Sequence, residues 1–330
     1  MKVLTEARPH LIEKSAIALG FFDGVHPGHQ VVIGKAVEEA RRLGVQSGVV
    51  TFRDHPRALT RGAHPLLLTD IDQRLDLFKK LGVDVTLVLT FSEDLCRLSP
   101  REYVEKFLVN SMGAKSISVG HNHHFGRDRE GDPDVLRKFG EELDFCVHVA
   151  PMVYVGEIEV SSSRIRESIV DGNMARARSL LSRSYAVGGV VVRGDGRGRQ
   201  IGFPTANVKL RDYQLVPRTG VYAGRVHIGA DEVCDAVINV GYRPTFKAAG
   251  SEADPLVEAY LFDFDRDIYD ASCTVEFVEY IRPEKKFDGI DSLITQIKVD
   301  ATASRDVLAK IKVEAGDEKN SPEESSPMPA

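Results

Sequence analysis

The chain has 330 residues, of which 42% are apolar and 28% are charged, and its formal net charge is −6. These values are ordinary for a globular protein, and the length is sufficient for two domains with separate cores. The negative balance argues against broad nucleic-acid binding, which normally needs a basic surface.

The N-terminal residues carry charges throughout, and no apolar run approaches membrane-spanning length. The cysteines lie far apart, without the paired spacing of a zinc site or a disulfide framework. We therefore expect a cytoplasmic protein without a membrane or nucleic-acid partner, present as a monomer or a weak homo-oligomer.

The first half of the chain alternates apolar runs with amphipathic segments. The apolar runs predict buried strands at SAIALG from Ser15, SGVVTF from Ser47, VDVTLVLTF from Val83, KSISVG from Lys115 and FCVHVA from Phe145. Helical spacing follows His29, and capping-box patterns begin at Asp70 and Ser99. The alternation predicts an α/β, Rossmann-like domain with a parallel sheet and helices on both faces.

The pattern changes near Tyr185. Two short helical segments precede it, and strand-like runs without a long helix between them follow it: AVGGVVV, GVYAGRVHI, CDAVINVG, LVEAYLFDF and CTVEFVEYI. These runs predict a β-barrel or a sandwich. Helical spacing returns at Ile290, and from Val313 the chain has little to bury, so we predict a disordered acidic tail over 313–330.

The stretch GFFDGVHPGHQ begins at Gly20, where the first predicted strand leads into the first helix. Gly24 and Gly28 allow close backbone approach, and His26 and His29 can donate hydrogen bonds to phosphate oxygens without a large fixed charge. A helix N-terminus also suits phosphate. The turn therefore predicts a polyphosphate site. A tight turn with two surface histidines is the alternative, and a metal pair is disfavoured because no further Cys or His completes a shell.

The same stretch resembles the first signature of nucleotidylyltransferases, and its Phe-Asp-Gly portion narrows the resemblance to prokaryotic flavin-adenine dinucleotide (FAD) synthetases. VGHNHHFGRDREGD, from Val119, resembles the second motif of that family, and VSSSRIRESIVDGN, from Val160, resembles the serine-rich third motif. The second motif departs from the family, since His123 replaces a usual aromatic residue; a metal site at HNHH is disfavoured.

The resemblance implies catalytic roles for His26, His29 and Asn122. It implies ATP or phosphate contacts from a larger set: Gly20, Phe22, Asp23, Gly24, Gly28, Ser161, Ser162, Ser163 and Arg166. Arg166 would complement the charge of the leaving pyrophosphate. Taken alone, a run of three serines is more typical of a helix cap or loop.

A second glycine-rich stretch, GDGRGRQIGFPTANV, begins at Gly194. It is not a P-loop, because no Gly-Lys-Ser or Gly-Lys-Thr follows. Thr205 and Asn207 offer hard oxygen donors suited to Mg²⁺ beside phosphates. Without context, Thr and Asn after Pro204 are typical turn residues.

This stretch resembles the riboflavin kinase signature, and PRTGVYAGRV, AVINVGYRPTF, VEAYLFDFDRDIYD and VEYIRPEKKF follow in the order of that family. The two resemblances together identify the chain as similar to bifunctional riboflavin kinases and FAD synthetases. They imply a nucleotidylyltransferase domain over 1–184 and a small antiparallel β-barrel with a C-terminal helix over 185–312.

The kinase resemblance implies further site residues. Phosphate contacts would come from Gly194, Gly196, Gly198, Gly202 and Pro204, and metal contacts from Thr205 and Asn207. Glu258 matches the catalytic glutamate and would accept a proton from the ribityl 5′-hydroxyl. For Arg282, Glu284 and Lys285 individually, we favour a solvated charge run.

The implied chemistry uses ATP twice, with Mg²⁺ helping both steps. Riboflavin takes a γ-phosphoryl group and becomes flavin mononucleotide (FMN), and an FMN phosphate oxygen then attacks the α-phosphorus of a second ATP to give FAD and pyrophosphate. The alternatives are a different nucleotidylyltransferase, a class I aminoacyl-tRNA synthetase, or a non-catalytic regulator that binds a flavin or a nucleotide.

Overall fold

The computed structural model describes residues 1–55, 65–229, 232–242 and 255–320. The chain divides into two compact units. Unit 1 comprises Met1–Ser168, Arg176–Arg183 and Asp212–Leu215, and unit 2 comprises Ile169–Ala175, Ser184–Arg211 and the chain from Val216 onward. A single boundary after residue 184 would place residues 169–175 in unit 1 and residues 212–215 in unit 2, whereas each segment belongs to the other unit. The domain boundaries stay a prediction.

Unit 1 is built on a six-stranded sheet in the order β1-β4-β3-β2-β5-β6. Every neighbouring pair is parallel. The strands are β1 (Lys2–Leu4), β2 (Ser15–Leu19), β3 (Gln46–Phe52), β4 (Val85–Leu89), β5 (Ala114–Gly120) and β6 (Cys146–Ala150), and a hairpin of β7 (Tyr154–Val155) and β8 (Ile158–Glu159) follows. The predicted strands of this half are confirmed. The edge strand β1 was not predicted, because three residues are too few to show a period.

Helices cover both faces of this sheet. The helices of the first half of the chain are α1 (Pro27–Leu43), α2 (Ile71–Lys80), α3 (Glu93–Arg97), α4 (Pro100–Tyr103), a π-helix (Val104–Val109), a 3₁₀ turn (Arg127–Arg129), α5 (Pro133–Leu143), α6 (Ser162–Val170) and α7 (Met174–Leu181). Ile17 packs in the apolar core on one face of β2, and its neighbour Ala18 packs in the core on the other face. Both faces are therefore buried, as is usual for a parallel sheet. The capping boxes at Asp70 and Ser99 are confirmed.

Unit 2 is a closed antiparallel barrel in the order β10-β13-β12-β11-β14-β9. The strands are β9 (Tyr185–Val192), β10 (Ala206–Leu210), β11 (Gly220–Ile228), β12 (Glu232–Tyr242), β13 (Pro255–Leu261) and β14 (Ser272–Arg282), with a short α8 (Arg197–Gln200) between β9 and β10. Because these strands close on themselves, the predicted barrel is confirmed and the alternative of a sandwich is not. Strand β10 was not predicted, because its residues form part of the GFPTANV motif that we interpreted as a loop.

The last helix, α9 (Ile290–Asn320), follows the barrel. Its Leu308 is buried in an apolar cluster with Val221, Val237 and Val278 of the barrel strands. The backbone stays helical through Asn320, whereas we predicted disorder from Val313. Extending an existing helix requires no new nucleus, so a short stretch that includes the helix formers Glu314, Ala315, Glu318 and Lys319 can continue it. Residues 321–330 and part of AVINVGYRPTF, at 243–246, lie outside the described residues.

None of the helices in the described ranges has the length and apolar character needed to cross a membrane.

Candidate active sites

A cavity of about 420 Å³ in unit 1 brings the three motifs of the first half together. It lies where β2, β5 and β6 end, which is where open α/β sheets place their ligands. The predicted residues that line it are Gly20, Phe22, Asp23, His26, Gly28, His29, Asn122, Ser161, Ser162, Ser163 and Arg166. Gly24 is not among the lining residues, although it lies in the same loop.

The loop between β2 and α1 has an unusual backbone. Phe22, Gly24 and Val25 have φ angles of +57°, +83° and +40°. Positive φ is strained for a β-branched residue such as Val25, and it persists only where the surroundings fix it. Gly20 contributes to this fixation, since a Cβ there would lie 2.9 Å from the Phe22 ring. Strain of this kind clusters at functional sites.

The Asp23 carboxylate fixes the loop from within. Its Oδ1 accepts hydrogen bonds from the amide of Leu68 at 3.0 Å, the amide of Thr69 at 3.0 Å and the Thr69 hydroxyl at 3.2 Å. Its Oδ2 pairs with the Arg166 guanidinium. Asp23 is only 3% exposed. The structure places the Asp23 carboxylate against protein donors, and the residue lines the cavity, so its expected contact with ATP or phosphate stays a prediction.

His26 and His29 stack on each other, with ring centroids 3.6 Å apart. Burial, followed by the Arg183 guanidinium, lowers the pKa of His26 to about 4. Burial, followed by His26 and Arg183, holds the pKa of His29 well below its usual value. Both rings are therefore neutral near pH 7. The Nδ1 atoms of both are buried and have no hydrogen-bond partner within the described chain. A phosphate could provide one, because a neutral imidazole can donate one N–H.

Two arginines that the sequence did not single out support this loop. Arg183 donates to the Gly24 carbonyl at 2.7 Å. Arg74 is fully buried and donates to the carbonyls of Phe21 and Phe52, each at 2.9 Å. Arg74 thereby joins the loop after β2 to the end of β3. Its position in the helical pattern of α2 gave no sign of this role.

The second and third motifs supply the opposite side of the cavity. Ser162 begins α6 and donates its hydroxyl to the Asp23 carbonyl at 3.1 Å, and Ser161 precedes that helix. Asn122 is exposed and lines the cavity. His123 lies 5.9 Å from the Phe125 ring, and burial lowers its pKa to about 4. The hydroxyls, the helix N-terminus and neutral imidazoles together make an environment suited to phosphate.

In unit 2, Glu258 lies between two asparagines on neighbouring strands. Its register partners are Asn207 on β10 and Asn239 on β12. Directly opposed residues on paired strands project to the same face, so the three polar side chains lie side by side. All three line a cavity of about 370 Å³, with apolar walls that include Ile201, Phe203, Tyr260, Phe287 and Leu293. Asn239 was missed, because its partners are distant in sequence.

The glycine-rich loop packs closely around Asn207. A Cβ on Gly194 would lie 2.3 Å from the Asn207 amide nitrogen, so only glycine fits there. Thr205 and Asn207 also line a second cavity of about 360 Å³, together with Gly194, Gly196 and Pro204. Gly198 lines the cavity of Glu258. Gly202 has a φ of +86° and lines neither. Thr205 and Asn207 thus stand at the boundary of two cavities.

Arg282, the last residue of β14, is not part of the solvated charge run that we favoured, whereas Glu284 and Lys285 are exposed. Arg282 binds the buried Asp300 carboxylate with its Nε at 2.9 Å and its Nη2 at 2.7 Å, and Gln296 donates to the same carboxylate at 2.9 Å. Arg282, Glu284 and Lys285 all line the cavity of Glu258. The interpretation was wrong for Arg282 because its partner lies on α9, where the sequence pattern showed only helical spacing.

The donor set around Asn207 fits a hard cation in its chemistry. The Thr205 hydroxyl, the Asn207 amide and the Glu258 carboxylate are oxygen donors lining one cavity, and Mg²⁺ prefers oxygen ligands completed by water and substrate phosphates. Among the described residues there is no cluster of three or more His, Cys, Asp or Glu side chains able to hold a metal ion.

Comparison with known proteins separates the chain into two matches. Residues 8–164 match the FAD synthetase family, and residues 181–308 match the riboflavin kinase family. The bifunctional riboflavin kinase/FMN adenylyltransferase of Bacillus subtilis (strain 168) is 37% identical over 310 residues, which cover 91% of this chain and 96% of that protein. Its counterpart from Escherichia coli (strain K12) is 34% identical, covering 91% and 95%.

A crystal structure described as a macrolide-efflux protein from Streptococcus pneumoniae has the same fold. It superposes with a TM-score of 0.82 at 32% identity and covers 92% of this chain and 99% of its own.

The buried histidines predict that unit 1 loses stability in mild acid. The pKa of His26 is about 4 in the folded chain and about 6.5 in an unfolded one. Between these values only the unfolded chain binds the proton, so the free energy of unfolding falls as pH decreases from 6.5 to 4. The free energy of unfolding should differ between pH 7 and pH 5, and we expect His26→Asn to reduce that difference by about 1–2 kcal/mol, as measured by urea unfolding. His10→Asn, at an exposed histidine, is the control. Identical pH dependence in all three proteins would contradict the assignment.

Proposed function

This chain belongs to the family of bifunctional riboflavin kinase/FMN adenylyltransferases, and we propose that its two reactions occupy two of the cavities described above. It phosphorylates riboflavin with ATP to FMN, and it adenylylates FMN with ATP to FAD and pyrophosphate. Adenylylation belongs in the cavity of unit 1, and phosphorylation belongs beside Glu258. The observation that supports this placement is that three motifs distant in sequence line the cavity of unit 1.

For adenylylation, the protein's task is to align two phosphates and to stabilise the charge that moves onto pyrophosphate. The neutral rings of His26 and His29 can donate hydrogen bonds to ATP phosphate oxygens. Ser161, Ser162 and Ser163 lie at the N-terminal end of α6, where free N–H groups favour an anion. Arg166, which is paired with Asp23, places its guanidinium at the same wall. The FMN phosphate oxygen attacks the α-phosphorus directly, and no residue needs to form a covalent intermediate.

For phosphorylation, Glu258 is the proposed general base. It would accept the proton of the ribityl 5′-hydroxyl as that oxygen attacks the γ-phosphorus of ATP. Thr205 and Asn207 would hold Mg²⁺, whose role is to neutralise charge on the ATP phosphates. The glycines of the Gly194–Pro204 loop would admit the phosphates close to the backbone, because they carry no side chain. Asn207 and Asn239, one on each side, position the Glu258 carboxylate.

We assign adenylylation to residues 1–184 and phosphorylation to residues 185–312, and we place the protein in the cytoplasm as a monomer or a weak homo-oligomer. Its small-molecule substrates are riboflavin, FMN and ATP. The positions of the two family matches, 8–164 and 181–308, support the assignment. The negative net charge of −6 supports the absence of a nucleic-acid partner.

Replacing His29 tests the first site. We expect His29→Ala to slow adenylylation roughly 10²–10³-fold, because loss of one preorganised donor to a developing anion has that effect. FMN and ATP are supplied directly, and FAD is separated by chromatography. The riboflavin kinase rate of the same sample is the control and should not change. Equal loss of both activities would indicate a folding defect, and adenylylation near the rate of the unaltered protein would contradict the placement.

Replacing Glu258 tests the second site. Glu258→Gln keeps the size of the side chain but removes the base, so single-turnover formation of FMN at saturating riboflavin and Mg·ATP should fall about 10²–10⁴-fold. Adenylylation of supplied FMN should continue. Glu279→Gln, at an exposed carboxylate on β14, is the matched control and should retain both activities. Turnover by Glu258→Gln near that of the unaltered protein would exclude Glu258 as the base.

A further inference from the structure

The segment Asp212–Leu215 lies in unit 1, although the riboflavin kinase match covers 181–308. Its backbone pairs with Leu67: the Leu67 amide donates to the Tyr213 carbonyl at 2.7 Å, and the Leu215 amide donates to the Leu67 carbonyl at 2.8 Å. Leu67 and Gln214 thereby form a parallel bridge. A stretch that sequence comparison assigns to one activity is structurally part of the other unit.

The Gln214 side chain strengthens this attachment. It is 5% exposed, and its Nε2 donates to Asp70 Oδ2 at 3.0 Å and to Gln73 Oε1 at 3.2 Å. Asp70 and Gln73 form the capping box of α2. The amide of Gln214 therefore binds both side chains that begin this helix.

The residues next to this attachment hold the adenylylation loop. Leu68 and Thr69 lie between Leu67 and Asp70, and their amides donate to the Asp23 carboxylate. Asp23 in turn pairs with Arg166, and both line the cavity of unit 1. Gln214 itself does not line that cavity. The chain of contacts from Asp70 to Asp23 connects it to the site.

We propose that Gln214 is a positioning residue for FMN adenylylation, acting through the Leu67–Asp70 segment on Asp23 and Arg166. This inference rests on the proposed placement of adenylylation in unit 1. It assigns to the adenylyltransferase a residue that the family match assigns to the kinase. A substitution at Gln214 should therefore impair the activity opposite to the one that its place in the sequence suggests.

Gln214→Glu is the most informative single change, because it preserves shape. It replaces the donating amide with a carboxylate that faces the Asp70 carboxylate at a buried position, where like charges repel strongly. We expect kcat for adenylylation of supplied FMN to fall roughly tenfold, since small displacements of positioning groups have effects of that size. Riboflavin kinase turnover, measured on the same sample, should stay unchanged.

A second change distinguishes this repulsion from general damage. Asp70→Asn removes one of the two negative charges and leaves an efficient helix cap. Adding Asp70→Asn to Gln214→Glu should restore most of the adenylylation rate. Gln214→Met, which removes the hydrogen bonds without adding charge, should lower adenylylation less than Gln214→Glu. Asp212→Asn, at an exposed residue of the same segment, is the control and should leave both activities unchanged.

His29→Ala, assayed in parallel, separates the inference from the function on which it rests. If His29→Ala abolishes adenylylation and Gln214→Glu does not lower it, the role of Gln214 is overturned and the placement stands. If His29→Ala leaves adenylylation intact, the placement itself fails. Loss of kinase activity alone, equal loss of both activities in Gln214→Glu and Gln214→Met, or no recovery with Asp70→Asn would each overturn the proposal.

Discussion

The geometry of the site in unit 1 depends on the hydrogen bonds and the ion pair that the Asp23 carboxylate makes. A buried carboxylate is costly unless donors satisfy it, and here two amides, a hydroxyl and a guanidinium do so. These donors come from positions 45 to 143 residues away along the chain. One side chain thereby joins the strained loop after β2, the segment before α2 and the serine-bearing helix α6. The positive φ angles at Phe22 and Val25 become tolerable because this attachment fixes the loop.

The second site depends on strand register instead. Asn207, Glu258 and Asn239 are opposed on three neighbouring strands, so barrel pairing alone brings them together. A shift of one residue in β13 would turn Glu258 to the barrel interior and Val257 outward. Arg282 is already bound to Asp300, as Arg166 is to Asp23. In both sites the charged wall is set by protein contacts, which is the condition for electrostatic preorganisation.

Much of this architecture was predictable, because periodicity is a local property. The five long strands of the first half and the capping boxes followed from residues close in sequence. Strand β1 was too short to show a period, and β10 was hidden by a loop-like motif. The site residues could be gathered from motifs, but their contacts could not. The partners of Asp23, Arg282 and Gln214 lie far away in sequence, and no local pattern encodes them.

The same limit applies to Asp23, whose expected contact with ATP or phosphate stays a prediction. Its place inside a phosphate-site motif gave its neighbourhood in sequence but not its hydrogen-bond donors. The seven-residue β5 and five-residue β6 end at the cavity, so the fold places the loop that contains Asp23 where open α/β sheets bind ligands. The packing of residues 67–69 against the loop then determined what the carboxylate does there.

The most direct measurement of this account is a double-mutant cycle between Asp23 and Arg166. The free-energy change in kcat/KM for adenylylation would be obtained for Asp23→Asn, Arg166→Gln and the double variant, with the kinase rate as the internal reference. Residues that act through one shared contact give strongly non-additive changes. We predict that the double variant is scarcely slower than the slower of the two single variants. Losses that simply multiply would show that Asp23 and Arg166 act independently and would contradict it.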